Sequence, residues 1–157
     1  MKRISLTQGK EALVDDQDYL CLKPWTWFYT TSGYAARNGP RPKKTAIQMH
    51  KVIAARMGLT GEVDHRNQNK LDNRRGNLRA ATRPQNQWNK GPQKNNTSGA
   101  KNVSLDKATG KYAARVKRHG KQIWLGRHAT RDAAKKRVLQ FIAEHDGEFA
   151  CFNIQGE

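Results

Sequence analysis

One stretch constrains this chain more than any other: Asn89-Lys90-Gly91-Pro92-Gln93-Lys94-Asn95-Asn96-Thr97-Ser98-Gly99, which is polar, rich in backbone breakers and without hydrophobic period. Patterned sequence lies on both sides of it. A chain of 157 residues with only 36% hydrophobic residues must divide its apolar side chains between two modest cores if that stretch is a linker. Two small modules are therefore expected, residues 1–90 and 99–157, joined by a linker at 91–98. The fold class that follows is α+β. No internal repeat or low-complexity tract competes with this division.

Charge narrows the partners. Thirty Lys and Arg stand against thirteen Asp and Glu, a net +17, and a surface that basic gathers polyanions, of which nucleic acid is the commonest inside a cell. Solubility alone is served by a net charge of about 2 to 8. Anionic-lipid binding usually shows as a basic amphipathic helix or a terminal polybasic cluster, whereas here the positive residues are spread from Lys2 to Arg137. No stretch approaches the roughly 18 apolar residues of a membrane span, and Met1-Lys2-Arg3-Ile4-Ser5-Leu6-Thr7 has no apolar core like a signal peptide's. The expectation is a soluble intracellular protein with no membrane partner. Cys21 and Cys151 stand far apart with no partner at a metal-ligand spacing, so both read as ordinary thiols.

In the first module the pattern predicts short strands at Ile4-Ser5-Leu6, Ala12-Leu13-Val14 and the aromatic Trp25-Thr26-Trp27-Phe28-Tyr29. A hairpin is expected from Tyr34-Ala35-Ala36-Arg37 and Thr45-Ala46-Ile47-Gln48-Met49 across Gly39-Pro40-Arg41-Pro42. A helix follows over His50 to Met57 and ends at Gly58. Beyond the linker, Val103-Ser104-Leu105, Tyr112 to Lys117 and Gln122 to Leu125 predict a three-stranded antiparallel meander. Thr130 can cap the next helix, whose Ala134, Val138, Phe141 and Ile142 form one apolar stripe. Period two then puts Tyr112, Ala114, Val116, Ile123 and Leu125 against that helix and Ala113, Arg115, Lys117, Gln122 and Trp124 on the open face.

The chemistry concentrates between the two patterns. Asp64-His65 is followed by Asn69-Lys70-Leu71-Asp72-Asn73-Arg74-Arg75-Gly76-Asn77-Leu78-Arg79 and Ala80-Ala81-Thr82-Arg83-Pro84-Gln85-Asn86, so that Asn77 stands twelve positions after His65 and Asn86 nine beyond it. Hydrolysing a phosphodiester needs a base for the water's proton and a cation for the charge on phosphate and leaving oxygen. His65, with an ordinary pKa of about 6.5, is the natural base. Asn73 reads as a loop amide that tolerates left-handed backbone. His50 opens a helix and reads equally as a phosphate contact or a structural group.

This segment resembles the HNH nuclease motif of phage and intron-encoded homing endonucleases, in the branch with Asn at the last motif position. The resemblance implies a ββα-metal module: a strand ending at Asp64-His65, a second at Asn77 to Ala81, and a helix opening around Arg83, for which Thr82 as N-cap and Pro84 in the first turn are suited independently. It further implies His65 as general base, Asn77 as the residue whose amide oxygen orients the imidazole, and Asp64 and Asn86 as ligands of one Mg²⁺ or Mn²⁺. One carboxylate and one neutral oxygen suit such a hard cation. Arg66 stands where relatives usually have an aliphatic residue and Gln68 where they usually have glycine.

The second module, Asn96 through Asn153, resembles the three-strand-plus-helix DNA-binding domain of plant ethylene-responsive transcription factors. Val103-Ser104, Gly110-Lys111-Tyr112-Ala113-Ala114-Arg115-Val116, Ile123-Trp124-Leu125-Gly126 and Ala133-Ala134 carry the likeness, and Asn102 replaces a glycine. Lys101, Arg115, Lys117, Gln122 and Trp124 are the expected DNA-contacting residues. The alternative for Trp124 is packing on the first module. Together these readings predict a site-directed DNA endonuclease of homing type. It nicks one strand of duplex DNA as a monomer or weak dimer, and is phage- or prophage-encoded and at work in the host cytoplasm. A non-cleaving DNA-binding regulator on the same scaffold and an RNA-binding protein are the rivals.

Overall fold

A computed structural model describes residues 1–40, 42, 45–92 and 96–150. Part of the expected Gly39–Pro42 turn, the centre of the expected linker and Cys151 with the residues after it lie outside them. The chain divides into two units, Met1–Thr82 and Arg83–Glu157.

In the first unit β1 (Lys2–Ser5) pairs antiparallel with β2 (Glu11–Val14), Ile4 opposite Ala12. Ile4, Ala12 and Val14 share one face of the pair and are buried, while Arg3 on the opposite face is exposed. Helix α1 (Asp16–Leu22) follows, with Asp16 and Asp18 in its first turn, where carboxylates suit the positive end of the dipole. Leu22 is buried, and its carbonyl accepts the indole N–H of buried Trp27 at 2.9 Å. Strands β3 (Phe28–Tyr29), β4 (Ala35–Asn38) and β5 (Ala46–Gln48) make a second antiparallel sheet in that order. Helix α2 (Met49–Arg56) continues directly from β5 and buries Met49, His50, Ile53 and Ala54, one face at i, i+1, i+4 and i+5. Strands β6 (Glu62–His65) and β7 (Leu78–Ala81) close the unit as an antiparallel pair. The core joins Ile4, Val14, Leu22, Trp27, Ile53 and Leu78.

Asp18 is fully buried and carries two guanidinium groups. Arg75 Nε and Nη2 approach it at 2.7 and 2.8 Å and Arg56 Nε at 2.9 Å. The Arg75 hydrogen bonds hold its carboxyl below the usual range, against the opposing pull of burial, with Arg56 adding to the lowering.

The second unit opens with α3 (Arg83–Asn89) and continues through β8 (Val103–Asp106), β9 (Lys111–Arg118), β10 (Lys121–His128) and α4 (Arg131–His145). The sheet order is β10-β9-β8, the expected meander. Thr130 Oγ1 accepts from Ala133 N at 3.2 Å and caps α4. Ala114 on β9 and Ala134 on α4 are both fully buried, and Val116, Val138, Phe141 and Ile142 fill the layer between sheet and helix. Asn96 and Ser98, expected in the linker, form an ordered turn in which Ser98 Oγ reaches Ala100 O at 3.0 Å and Val103 O at 2.6 Å.

The expected boundary after residue 90 and the observed one differ by one helix. Trp88 of α3 lies under the Arg118 guanidinium, 4.8 Å from ring centroid to Cζ, and edge-on to His119 at 5.4 Å. These contacts group α3 with the second unit.

Candidate active site and nucleic-acid interface

The β6–β7 pair delivers two chemical residues in succession. Asp64 faces Arg79 across the ladder and His65 faces Leu78, and both Asp64 and His65 are buried. Arg79 Nε and Nη2 donate to Asp64 Oδ2 at 2.9 and 2.6 Å, so this buried carboxylate has a buried counter-charge.

The loop between the strands is built by Asn and Asp side chains closing local turns. Asn67 Oδ1 accepts from Asn69 N and Asn69 Oδ1 from Leu71 N, at 2.9 and 3.0 Å. Buried Asp72 receives Arg74 Nε and Nη2 at 2.7 and 2.6 Å and Asn67 Nδ2 at 2.8 Å. Arg74 chiefly, and Asn67 after it, lower the Asp72 carboxyl below its ordinary range despite burial.

The amide that meets the His65 ring is Asn73, not Asn77. Asn73 is 1% exposed, and its Oδ1 lies 3.2 Å from His65 Nε2. Asn77 turns its side chain into the loop instead: Oδ1 accepts from Asn67 N at 3.0 Å and Nδ2 donates to Asp72 O at 2.7 Å. The orienting contact expected of Asn77 is thus made by Asn73, while Asn77 fixes the loop's two ends to each other.

Two further rings stand beside His65. His50 stands edge-on to His65 at 5.1 Å, and Tyr34 lies 5.0 Å from His50 and 6.1 Å from His65. Burial, then His65 and Lys51, push the His50 imidazole down to about 3, so it is neutral at cellular pH. Burial also lowers His65, against the opposing effects of the Asn73 hydrogen bond and of the Asp64 and Asp72 charges. A neutral imidazole is the form a general base needs. Sequence reading left His50 undecided because a histidine at a helix start carries no sign of which ring it will meet.

Gln68 occupies left-handed backbone, φ 64°, at the position where glycine was noted as usual. Asn102 does the same in the second unit, φ 65°. The Cβ of either residue crowds the following carbonyl there, and Asn tolerates the region better because its short amide can bond the local backbone. Gln68→Gly is expected to stabilise the first unit by up to about 1 kcal/mol, after the extra unfolded-state freedom of glycine is subtracted. A rise of a few degrees in Tm checks this, and a lower Tm contradicts it. Arg66 is exposed rather than packed as an aliphatic residue would be.

A scan against protein families settles what this arrangement resembles. Residues 34–88 match the HNH endonuclease family model. Comparison with curated proteins and with solved structures gives no match. The HNH segment begins at Tyr34 and ends in α3, and so contains His50, Asp64, His65, Asn73, Asn77 and Asn86. A nuclease acting on nucleic acid is the activity that goes with this domain.

Asp64 belongs to the first unit and Asn86 to the second. Among the described residues no group of three or more His, Cys, Asp and Glu could enclose a metal ion. Asp64 and Asn86, the ligands that the resemblance implies, are a carboxylate and an amide, both hard oxygen donors of the kind that a divalent cation takes.

On the second unit's open sheet face Trp124 is 51% exposed, with Arg115 Cζ 5.1 Å and Arg127 Cζ 5.9 Å from its ring. Lys117 and Gln122 are exposed beside them. Arg127 was not among the expected contacts. The β9–β10 register shifts between Trp124 and Gly126, whose φ is 105°, and this bulge resets the alternation so that Arg127 pairs with Ala113 beside Trp124. A glycine inside a strand pattern was the available signal.

Lys101 departs from its expected role. Its ammonium donates to the backbone carbonyls of Trp88 at 2.6 Å, of Gln87 at 3.4 Å, and of Lys90. A cation at the negative end of a helix is stabilising, and this geometry turns Lys101 into a cap for α3. Among the described residues no helix is long and apolar enough to cross a membrane.

Proposed function

We propose that the chain is a metal-dependent, site-directed DNA endonuclease of homing type, in which the second unit's sheet holds the duplex and the HNH segment hydrolyses one phosphodiester. The observation that carries this reading is the buried Asp64-His65 pair with the imidazole held by an amide oxygen. His65, neutral through burial, takes a proton from water on its unprotonated ring nitrogen. Asn73 and the neighbouring His50 and Tyr34 rings restrict the imidazole's rotation. Asn77 keeps the loop closed.

Asp64 and Asn86 are the residues that would hold Mg²⁺ or Mn²⁺. The ion supplies neutralisation of charge on the phosphate and the leaving oxygen. Arg79 keeps the Asp64 carboxylate ionised and oriented. One such site makes a nick, and the protein works as a monomer or weak dimer. The second unit acts as an ethylene-responsive-factor-like domain, with Arg115, Trp124 and Gln122 facing the groove and Lys117 the phosphates. A phage or prophage origin, with action in the host cytoplasm, accords with this activity.

The test is incubation with supercoiled phage and host DNA in Mg²⁺, in Mn²⁺ and in EDTA. Relaxed circles or defined fragments that appear only with metal support the reading. Stable shifted complexes without cutting, on a panel that includes a recognised sequence, would replace it with a DNA-binding regulator, and preference for RNA in competition would replace duplex DNA as the partner.

The Arg115→Ala, Trp124→Ala double variant is expected to bind duplex DNA about 10- to 100-fold more weakly, corresponding to roughly 1–3 kcal/mol for the lost base-edge and ring contacts. Its metal requirement should be unchanged. Unaltered affinity in a gel-shift titration removes this face from the interface.

A further inference from the structure

Between Asp18 and Glu62 the sequence carries seven Lys and Arg and no Asp or Glu, although the whole chain has thirteen acids. A stretch of that composition attracts polyanions along its length. Within it the fold leaves one large ring in water. Trp25, in the connection from α1 to β3, is 52% exposed, whereas Trp27 two residues on is buried.

Arg37 of β4 stands on that exposed ring. Its Cζ lies 3.9 Å from the Trp25 ring centroid and 6.0 Å from that of Trp27. Its Nη1 donates to the adjacent Asn38 O at 3.3 Å, and among the described residues no carboxylate pairs with it. The other arginines of this unit that meet the loop and α2 are different: Arg56, Arg74, Arg75 and Arg79 each bind a buried carboxylate. An indole restrains the plane of a guanidinium without neutralising it, and the remaining N–H donors keep the fork geometry that fits phosphate. Single exposed apolar residues are ordinary. What marks Trp25 is the unneutralised guanidinium on its ring in an acid-free stretch. The second unit repeats the combination independently, with Trp124 51% exposed and Arg115 Cζ 5.1 Å from its ring.

We propose that Trp25 and Arg37 form a nucleic-acid contact of the first unit, in which Arg37 binds a backbone phosphate of duplex DNA and Trp25 is its platform. The proposal rests on the nuclease reading for the duplex as partner, and adds to it a contact that is blind to sequence. Discrimination between sites is then left to Arg115, Gln122 and Trp124. Trp25 lies ahead of the segment that matches the HNH family, residues 34–88, so the matched segment does not by itself supply this contact.

The experiment titrates labelled duplexes of several unrelated sequences into the full chain, in EDTA and at a series of salt concentrations, so that binding is read without cleavage. Arg37→Ala is expected to weaken binding about 10-fold on every sequence and to reduce the slope of log K against log salt by about 0.9, the share of one phosphate. Arg37→Lys keeps the charge and therefore the slope, but loses the stacked fork and part of the affinity. Trp25→Ala should weaken binding with the slope of wild type, and its exposed position keeps the test available should Arg37→Ala fail to fold.

Variants that fold with an unchanged Tm and bind with wild-type affinity and slope overturn the proposal. Weaker binding of polyglutamate, but not of DNA, by Arg37→Ala overturns it in favour of an acidic protein partner. A wild type that holds duplex DNA through Arg37 yet cuts none with Mg²⁺ or Mn²⁺ would support the contact while removing the nuclease reading, so the two failures are distinguishable.

Discussion

His65→Ala is expected to reduce cleavage by about 10²- to 10⁴-fold while leaving DNA affinity within a few-fold of wild type. The magnitude is that of a lost general base, since the residues proposed to hold the cation are untouched. Affinity is preserved because the expected groove contacts are on the second unit, where Arg115, Trp124 and Arg127 form their own cluster. The vacated volume is bordered by His50, Tyr34 and Asn73. His50 is a poor substitute, since burial pushes it down to about 3. Added imidazole is therefore expected to restore part of the activity to His65→Ala by entering the vacated site, and a purely structural histidine would give no such recovery. The pH profile supplies a second check. Burial lowers the His65 pKa, so the base remains unprotonated below the ordinary histidine range, and wild-type activity should persist to lower pH than free imidazole would allow. Parallel loss of cleavage and binding in a gel-shift and nicking assay would show that His65 serves the fold instead.

Much of this architecture was legible from local pattern, and what was not has identifiable physical causes. The meander, the α4 stripe and the Thr130 cap follow from periodicity and capping chemistry, which act over a few residues. The β6–β7 pair and the helix beginning at Arg83 were expected from the HNH resemblance, and they lie within a residue of the expected places. The choice between Asn73 and Asn77 was not legible, because two asparagines four positions apart in one loop have the same chemistry. Long-range bonds decide between them: β2 pairs with the loop at Leu13 and directs Asn73 toward the ring, while Asn67 and Asp72 occupy Asn77. Lys101 shows the same limit. It was expected to contact DNA, and only the return of the chain to the end of α3 provides the carbonyls it binds. Arg127 was hidden by the Gly126 bulge, which defeats strict alternation by one residue.

Asp146→Ala breaks the buried Arg118–Asp146 pair and is expected to destabilise the second unit by about 3–5 kcal/mol. The side chains are 9% and 1% exposed, with Arg118 Nε 2.7 Å from Asp146 Oδ1 and Nη2 bonded to Oδ2. Removing the carboxylate leaves a guanidinium too buried for water to replace the lost partner, and the Lys117 carbonyl at 2.9 Å satisfies only one of its donors. The opposite construction separates the cost of an unpaired charge from the worth of the pair. Arg118→Met with Asp146→Leu removes both charges and keeps apolar volume, and should recover most of the stability lost in Asp146→Ala. Denaturant unfolding of the three proteins measures this, and a double variant no more stable than Asp146→Ala would show that the ion pair itself supplies the stability. The double variant should nevertheless cleave poorly. Arg118 lies over Trp88, two residues beyond Asn86 on α3, and a methionine offers that ring no cation. Restored stability with impaired cleavage would support the part in cleavage proposed for α3 and its Asn86, since Arg118 stacks on Trp88 of that helix.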